Sequence, residues 1–562
     1  MIRSLLRTFA MWALSMPALV RAAPPRPALV VAISVDQFSA GLFDQYRSTF
    51  RAGLGKLVRE GAVFPNGYQS HAATETCPGH STLLTGRHPS ATGIVSNQWY
   101  VTARTPDGQP VLEKRYCAWD PAAPVPGRPG QPRGPGSLRV STLGEWMRRA
   151  EPRSRTVAVS GKDRAALMMG GHAPTAVFWW DEERGFNTNV PGGTTERERL
   201  APVRAFDDEL ARRWARHRPD WRVAAPRCAA LVGHERYGDL SLAHVLPPPP
   251  PAGRTIDEAF RRWVRASPLL DELTLELALR LVKRLELGKR GVVDLLAVSL
   301  SATDYVGHTY GNQGPEMCDQ LAHLDRSLGS FFAALDALKI SYAVVLTADH
   351  GAMDAAERVS ERGVRAFRVG DELLQEVNHE LRADPALQLS EDPLVQEGDG
   401  VFFRGVAADD PRRPALEAAA RHALASRPEI AAVYSRAEAL ATRPPAGKGP
   451  DELTLLERFS ESVDAERSGD LLVALKPYAT TGVPQRAGDY VAGHGSPWNY
   501  DRRVPILFWA PGLGHFEQSL PIETVDIAPT LAALVGVPIP SEVTLDGVCR
   551  DLDRGPASTC AP

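Results

Sequence analysis

The sequence predicts an α/β fold: a large, mostly parallel central sheet with helices on both faces. Three observations carry the prediction. Continuous apolar runs rich in β-branched residues recur along the chain, as strands buried on both faces do. Stretches with helical spacing lie between them, the alternation expected of a parallel sheet. Several runs end on Asp or His, and open parallel sheets bind ligands outside the carboxyl ends of their strands.

The first strand in chain order is ALVVAISVDQF, ending near Asp36. Helical spacing follows over about residues 41–61. SRTVAVSGKDR is a second strand ending in charge, and VVDLLAVSLSATD a third, with Asp304 at its end. SYAVVLTADHG is a fourth, ending on Asp349 and His350, and RVPILFWAPG a fifth. Helical patterns cover residues 317–338 and 524–534. Less regular segments read as insertions into one catalytic domain, near 103–140, 181–260 and 355–480. The first is rich in Pro and Gly, the second carries Trp and Arg without clear periodicity, and the third mixes strand and helix signals.

Bulk properties narrow the functional class. A chain of 562 residues can hold one large domain with insertions, or two or three domains. A formal net charge of −3 gives no pull toward nucleic acid or an acidic membrane surface. Arg3 and Arg7 precede the apolar run FAMWALSMPALV, and small residues lead to Ala22. This is the pattern of a signal peptide over residues 1–22, with the mature chain starting at 23. The run is shorter than the ~20 residues a membrane span needs. The protein is therefore expected to be exported, periplasmic or extracellular, with no membrane partner; a monomer is favoured. None of the six cysteines forms a CxxC pair, so no thiolate zinc site is expected. Export permits disulfides. Cys549 and Cys560 lie close together in a Gly/Pro-containing tail and are expected to pair.

The candidate site collects at strand ends. Asp304 and His308 in DYVGH are four apart, which brings them together on a helical turn. DQLAH places Asp319 and His323 at the same spacing inside a long helical pattern, and reads as a structural pair. His494 sits between two glycines, where backbone can approach closely. In SHAATETCPGHSTLLTG, Thr74 and Thr76 stand before a Cys-Pro-Gly turn at the mouth of a helix. Either hydroxyl could cap the helix, or one could be a nucleophile held where an anion binds. Asp36, Asp304, Asp349, His308, His350 and His494 with a Thr hydroxyl form an oxygen and imidazole set. That set suits two zinc ions or a similar divalent pair.

The ordered motifs SVD, TCPGH…LLTG, DxxxH, ADHG and GHG resemble the alkaline phosphatase superfamily. ATETCPGHSTLLTG is similar to the nucleophile motif of its nucleotide pyrophosphatase/phosphodiesterase branch. SGKDR resembles the bacterial exported phosphomonoesterases of the PafA/PhoK type. The match runs from about residue 28 to 534. The resemblance implies an alkaline phosphatase-like fold and a metal-dependent hydrolase acting on small phosphate esters. It implies Thr76 as the nucleophile, with Thr74 a loop or cap residue. One zinc ion would be held by Asp304, His308 and His494, and the other by Asp36, Asp349 and His350 with Thr76. Asn97, Lys162 and Arg164 match the residues that contact phosphate. No catalytic need is seen for Cys77 or His80. The alternatives are a phosphodiesterase or nucleotide pyrophosphatase using the same metals, or a non-catalytic exported phosphate- or metal-binding protein. A sulfatase would need x-Pro-x-Arg after its nucleophile, which is absent here.

Overall fold

The computed structural model describes residues 26–105, 110–253, 255–407, 409–553 and 558–560. The expected signal peptide lies outside the described residues. No helix among those described is long and apolar enough to cross a membrane.

A ten-stranded sheet forms the centre. Its strands are β1 (Leu29–Val35), β2 (Ala62–Tyr68), β3 (Thr156–Ser160), β4 (Ala176–Asp181), β5 (Gly185–Asn187), β6 (Asp294–Leu300), β7 (Tyr342–Thr347), β8 (Arg503–Trp509), β9 (Phe516–Glu517) and β10 (Ile522–Glu523). Their order is β9-β2-β8-β7-β1-β6-β3-β4-β5, with β10 also beside β2. Strands β7, β1, β6, β3 and β4 are mutually parallel. Alternate residues of β1 feed two different cores: Leu29, Val31, Ile33 and Val35 one face, Val30 and Ala32 the other. This division is the reason the strand reads as one unbroken apolar run.

Helices cover both faces. They include α1 (Ala40–Tyr46), α2 (Gly53–Glu60), α3 (Thr76–Leu83), α4 (Asp163–Gly170), α5 (Leu269–Arg284), α6 (Ala302–Tyr310), α7 (Pro315–Ala337) and α8 (Ile527–Val535). The helical stretch expected over 41–61 is two helices, parted by a 3₁₀ turn at Arg47–Thr49. Strand β8, expected from its apolar run, lies antiparallel to both β7 and β2. The β8–β2 ladder shifts register between Val504 and Ile506, around Pro505, which has no N–H to donate.

The segment near 181–260 is more regular than its sequence pattern suggests. It holds a 21-residue helix, Glu196–Arg216, which buries Val203, Phe206, Leu210 and Trp214. These are spaced at three and four residues, but Pro202 and the many arginines obscure the pattern. Within 355–480, strands Leu394–Glu397, Gly400–Phe403, Ile430–Ser435 and Leu471–Leu475 form a second sheet. It has an apolar core of its own, including Val377, Leu381, Leu416 and Val473.

Candidate active site

Four adjacent parallel strands each deliver a piece of the site at their carboxyl ends. Asp36 follows β1, and Asp349 with His350 follows β7. Asp304 lies in the first turn of α6 after β6, and Lys162 with Arg164 follows β3. Thr76 is the first residue of α3, whose eight residues are all buried. A Cβ on Gly79 would lie 2.0 Å from the Asp349 carbonyl oxygen, so only glycine lets α3 press against that strand end.

The structure brings the expected residues together. The Lys162 ammonium lies 2.7 Å from Asp36 Oδ2 and 2.6 Å from Asp304 Oδ2. Its Nζ is 3.4 Å from Thr76 Oγ1, and Arg164 Nη2 is 3.2 Å from the same oxygen. His308 Nε2 and His494 Nε2 lie 3.2 and 3.4 Å from Asp304 Oδ1. His350 Nε2 is 3.4 Å from Asp36 Oδ1 and 3.3 Å from Asp349 Oδ2. Two tight donor groups result: Asp36 with Asp349 and His350, and Asp304 with His350 and His494. His350 thus stands at their junction, its ring stacked 3.7 Å from that of His494, while His308 approaches through Asp304.

The three imidazoles share one orientation. Nδ1 of His308 faces the Ala492 carbonyl at 2.8 Å, that of His350 the Gly351 carbonyl at 2.9 Å, and that of His494 the Thr74 carbonyl at 2.9 Å. A carbonyl only accepts, so each Nδ1 carries a proton and each Nε2 is turned into the cluster. Carbonyls that accept from the outer ring nitrogen fix metal-binding histidines in this way. Asp36 Oδ1 and His350 Nε2 are buried without a hydrogen bond. Buried polar atoms are rarely left so, and a cation accepting their lone pairs would satisfy both. The residues present therefore fit a divalent pair.

The charges are strongly perturbed. Burial, reinforced by Asp349, pushes Asp36 well above the usual carboxylate range despite Lys162. Burial also opposes charge on Asp304, but His308 and Lys162 outweigh it and hold that carboxyl well below its ordinary value. His350 is pulled down to about 3, chiefly by burial. For Lys162, burial is overcome by Asp304 and Asp36, which raise it. A cavity of about 470 Å³ opens beside Lys162 and Arg164, bordered by Arg133, Arg265 and Tyr305.

Other expected residues take the following places. Thr74 Oγ1 donates to the Ser496 carbonyl at 2.8 Å, a loop contact. Asn97 Oδ1 accepts from the Cys77 N–H at 2.9 Å. Asp319 and His323 lie apart from the site, where Asp319 accepts from Trp221 Nε1 and the Ala224 and Ala225 N–H groups. Cys549 pairs with Cys560, and the remaining disulfides are Cys77–Cys117 and Cys228–Cys318.

Three site contacts have no signature in the sequence. His80 Nδ1 lies 3.0 Å from Asp349 Oδ2. Glu75 Oε2 accepts from the Asn97 N–H at 2.6 Å. Gln37, at φ 68°, donates its N–H to Asp349 Oδ1 at 3.1 Å. With its amide nitrogen facing Asp304, Gln37 also donates to Asp304 Oδ1 at 2.8 Å, and so ties the two donor groups together.

Buried carboxylates, imidazoles and a helix-borne hydroxyl thus meet outside the carboxyl ends of a doubly covered α/β sheet, where such sheets bind ligands. The model of the type I phosphodiesterase/nucleotide pyrophosphatase family matches residues 30–492, and the chain belongs to that family. It is 40% identical over 551 residues to alkaline phosphatase PhoK of Sphingomonas sp, covering 96% of this chain and 94% of that protein. It is 41% identical over 539 residues to alkaline phosphatase PhoD of Zymomonas mobilis, covering 95% and 89%. The crystal structure of wild-type alkaline phosphatase PafA superposes with a TM-score of 0.78 at 25% identity, covering 94% of this chain and 99% of that one. The mostly parallel sheet with helices on both faces is that alkaline phosphatase-like fold, and the chain is a hydrolase.

Proposed function

We propose that the protein is an exported, two-zinc alkaline phosphatase that hydrolyses small phosphate monoesters through a phosphothreonine at Thr76. The observation that carries this reading is the Thr76 hydroxyl. It lies at the start of α3, within 3.2–3.4 Å of Arg164 and Lys162 and beside the two donor groups. Asp304, His308 and His494 would hold one ion; Asp36, Asp349 and His350 would hold the other, with Thr76 beside it. Zinc ions bound there would supply Lewis-acid charge favouring the Thr76 alkoxide and the departing oxygen.

The protein's own groups do the rest. Arg164 offers a planar fork to two phosphoryl oxygens, and Lys162 a point charge. Asn97 spends its side-chain oxygen on Cys77, which leaves its amide nitrogen to donate toward phosphate. Thr76 Oγ1 forms a bond to phosphorus as the bond to the ester oxygen breaks, and the alcohol leaves. Water then cleaves the Oγ1–P bond, releasing inorganic phosphate and restoring the hydroxyl. The 23–562 region serves as one catalytic domain, its insertions shaping the approach to the cavity.

The family also contains diester hydrolases, so the monoester reading needs a direct comparison. Steady-state turnover of p-nitrophenyl phosphate and bis(p-nitrophenyl) phosphate by zinc-loaded protein supplies it. Faster monoester turnover is expected. Faster diester turnover would put the phosphodiesterase first, and no turnover of either would leave a binding protein.

A further inference from the structure

The residue after the nucleophile is a cysteine, and its disulfide has a geometry that concerns substrate binding. We propose that the Cys77–Cys117 disulfide is a positioning strap for Asn97, fixing the amide that meets the substrate beside Thr76. This rests on the reading of Asn97 as a phosphate contact.

Both residues joined by the disulfide hold Asn97. The Cys77 N–H donates to Asn97 Oδ1 at 2.9 Å. The Cys117 N–H donates to the Asn97 backbone carbonyl at 3.0 Å. Glu75 Oε2 accepts from the Asn97 N–H at 2.6 Å, on the other side of the nucleophile in sequence. Asn97 thus has its N–H, its carbonyl and its side-chain oxygen all committed, to residues 75, 117 and 77. An amide whose oxygen is committed can present only its NH₂ to a ligand, so its donor direction is set.

The strap joins unequal partners. Cys77 is anchored in α3, whose position is fixed by the contact of Gly79 with Asp349. Cys117 closes the hairpin formed by Gln98–Arg104 and Pro110–Tyr116, and the chain beyond it runs without a helix or strand until the helix Leu143–Ala150. Both sulfurs are buried in the apolar core on that face of the sheet. The disulfide, which joins residues 40 apart, carries the rigidity of the nucleophile helix to the hairpin, and Asn97 lies between. A displacement of ~1 Å in a positioning group can cost up to about 100-fold in rate. The strap acts through Asn97 and makes no substrate contact itself.

A double-mutant cycle separates this from a merely structural bond. Four proteins are compared at a temperature well below unfolding: wild type, Cys77→Ser/Cys117→Ser, Asn97→Ala, and the combination. The readouts are kcat and KM for p-nitrophenyl phosphate, with bound metal measured in each. Loss of the cysteine pair is expected to lower kcat/KM about 10- to 100-fold with metal content unchanged. The same loss is expected to vanish, to within about twofold, in the Asn97→Ala background. An equal loss in both backgrounds, no loss in either, or a loss that follows metal content would overturn the strap. If Asn97→Ala alone leaves turnover unchanged, the assignment of Asn97 itself fails and the strap with it. Should the serine pair not fold, Cys77→Ala/Cys117→Val, suited to the apolar surroundings, goes through the same cycle with the same criteria.

Discussion

Replacing Arg164 with Ala should damage monoester hydrolysis far more than diester hydrolysis. The guanidinium lies 3.2 Å from Thr76 Oγ1 and its Nε is buried without a partner, so it is held ready for an incoming anion. A monoester brings one more negative charge to that place than a diester. A unit charge about 4 Å from another interacts by about 4 kcal/mol at an effective dielectric of ~20. Water entering the space left by the side chain recovers part of this, so about 2–4 kcal/mol of selectivity should go. That corresponds to a fall in monoester kcat/KM about 30 to 1,000 times larger than the fall for the diester. Arg164→Lys keeps the charge and loses the fork, and should restore part of the monoester rate. The assay is steady-state kinetics on p-nitrophenyl phosphate and bis(p-nitrophenyl) phosphate with one zinc-loaded preparation of each variant. Falls agreeing within about threefold on the two substrates would refute the reasoning, because Arg164 would then not sense the extra charge.

Three further outcomes are expected. Thr76→Ala should nearly abolish turnover and Thr74→Ala should not, since Thr74 Oγ1 is engaged in a loop contact with the Ser496 carbonyl; phosphate trapped on Thr74 in acid-quenched wild type would reverse the assignment. Chelation should abolish turnover and added zinc restore it, with elemental analysis giving close to two ions per chain; full activity in EDTA would remove the metals from the mechanism. His88 is half-buried among Glu461, Glu523 and Asp546, and although burial opposes its charge, these acids raise it to about 10. A histidine raised from 6.5 contributes stability that is complete below 6.5 and is lost as pH rises through about 10. His88→Gln should flatten the fall in urea-unfolding stability across that window, and an unchanged slope would count against it.

The parallel centre of the fold is visible in the sequence because β1, β3, β6 and β7 are buried on both faces and rich in Val, Ile and Leu. That same double burial hides strand direction: β8 has the same kind of run and lies antiparallel. Strand β2 is harder to see, with Pro65, Asn66 and Gly67 giving it the look of a turn. In the site, Asp36, Asp304, Asp349 and His350 stand out because they end apolar runs, and His494 because glycines flank it. Gln37 and Glu75 do not stand out. Gln37 acts on Asp349, 312 residues away, a contact that no local pattern encodes.

The lysine wedged between Asp36 and Asp304 also bears on how the protein behaves in dilute surroundings. Lys162 is a counter-ion on a covalent leash. It cannot be washed out, captured by a chelator or exchanged for a competing ion. With no divalent ion bound, one positive charge still separates two buried acids that would otherwise repel each other. The emptied site should therefore keep much of its shape. A scaffold of that kind would suit experiments that offer one divalent ion after another and ask how each changes the chemistry.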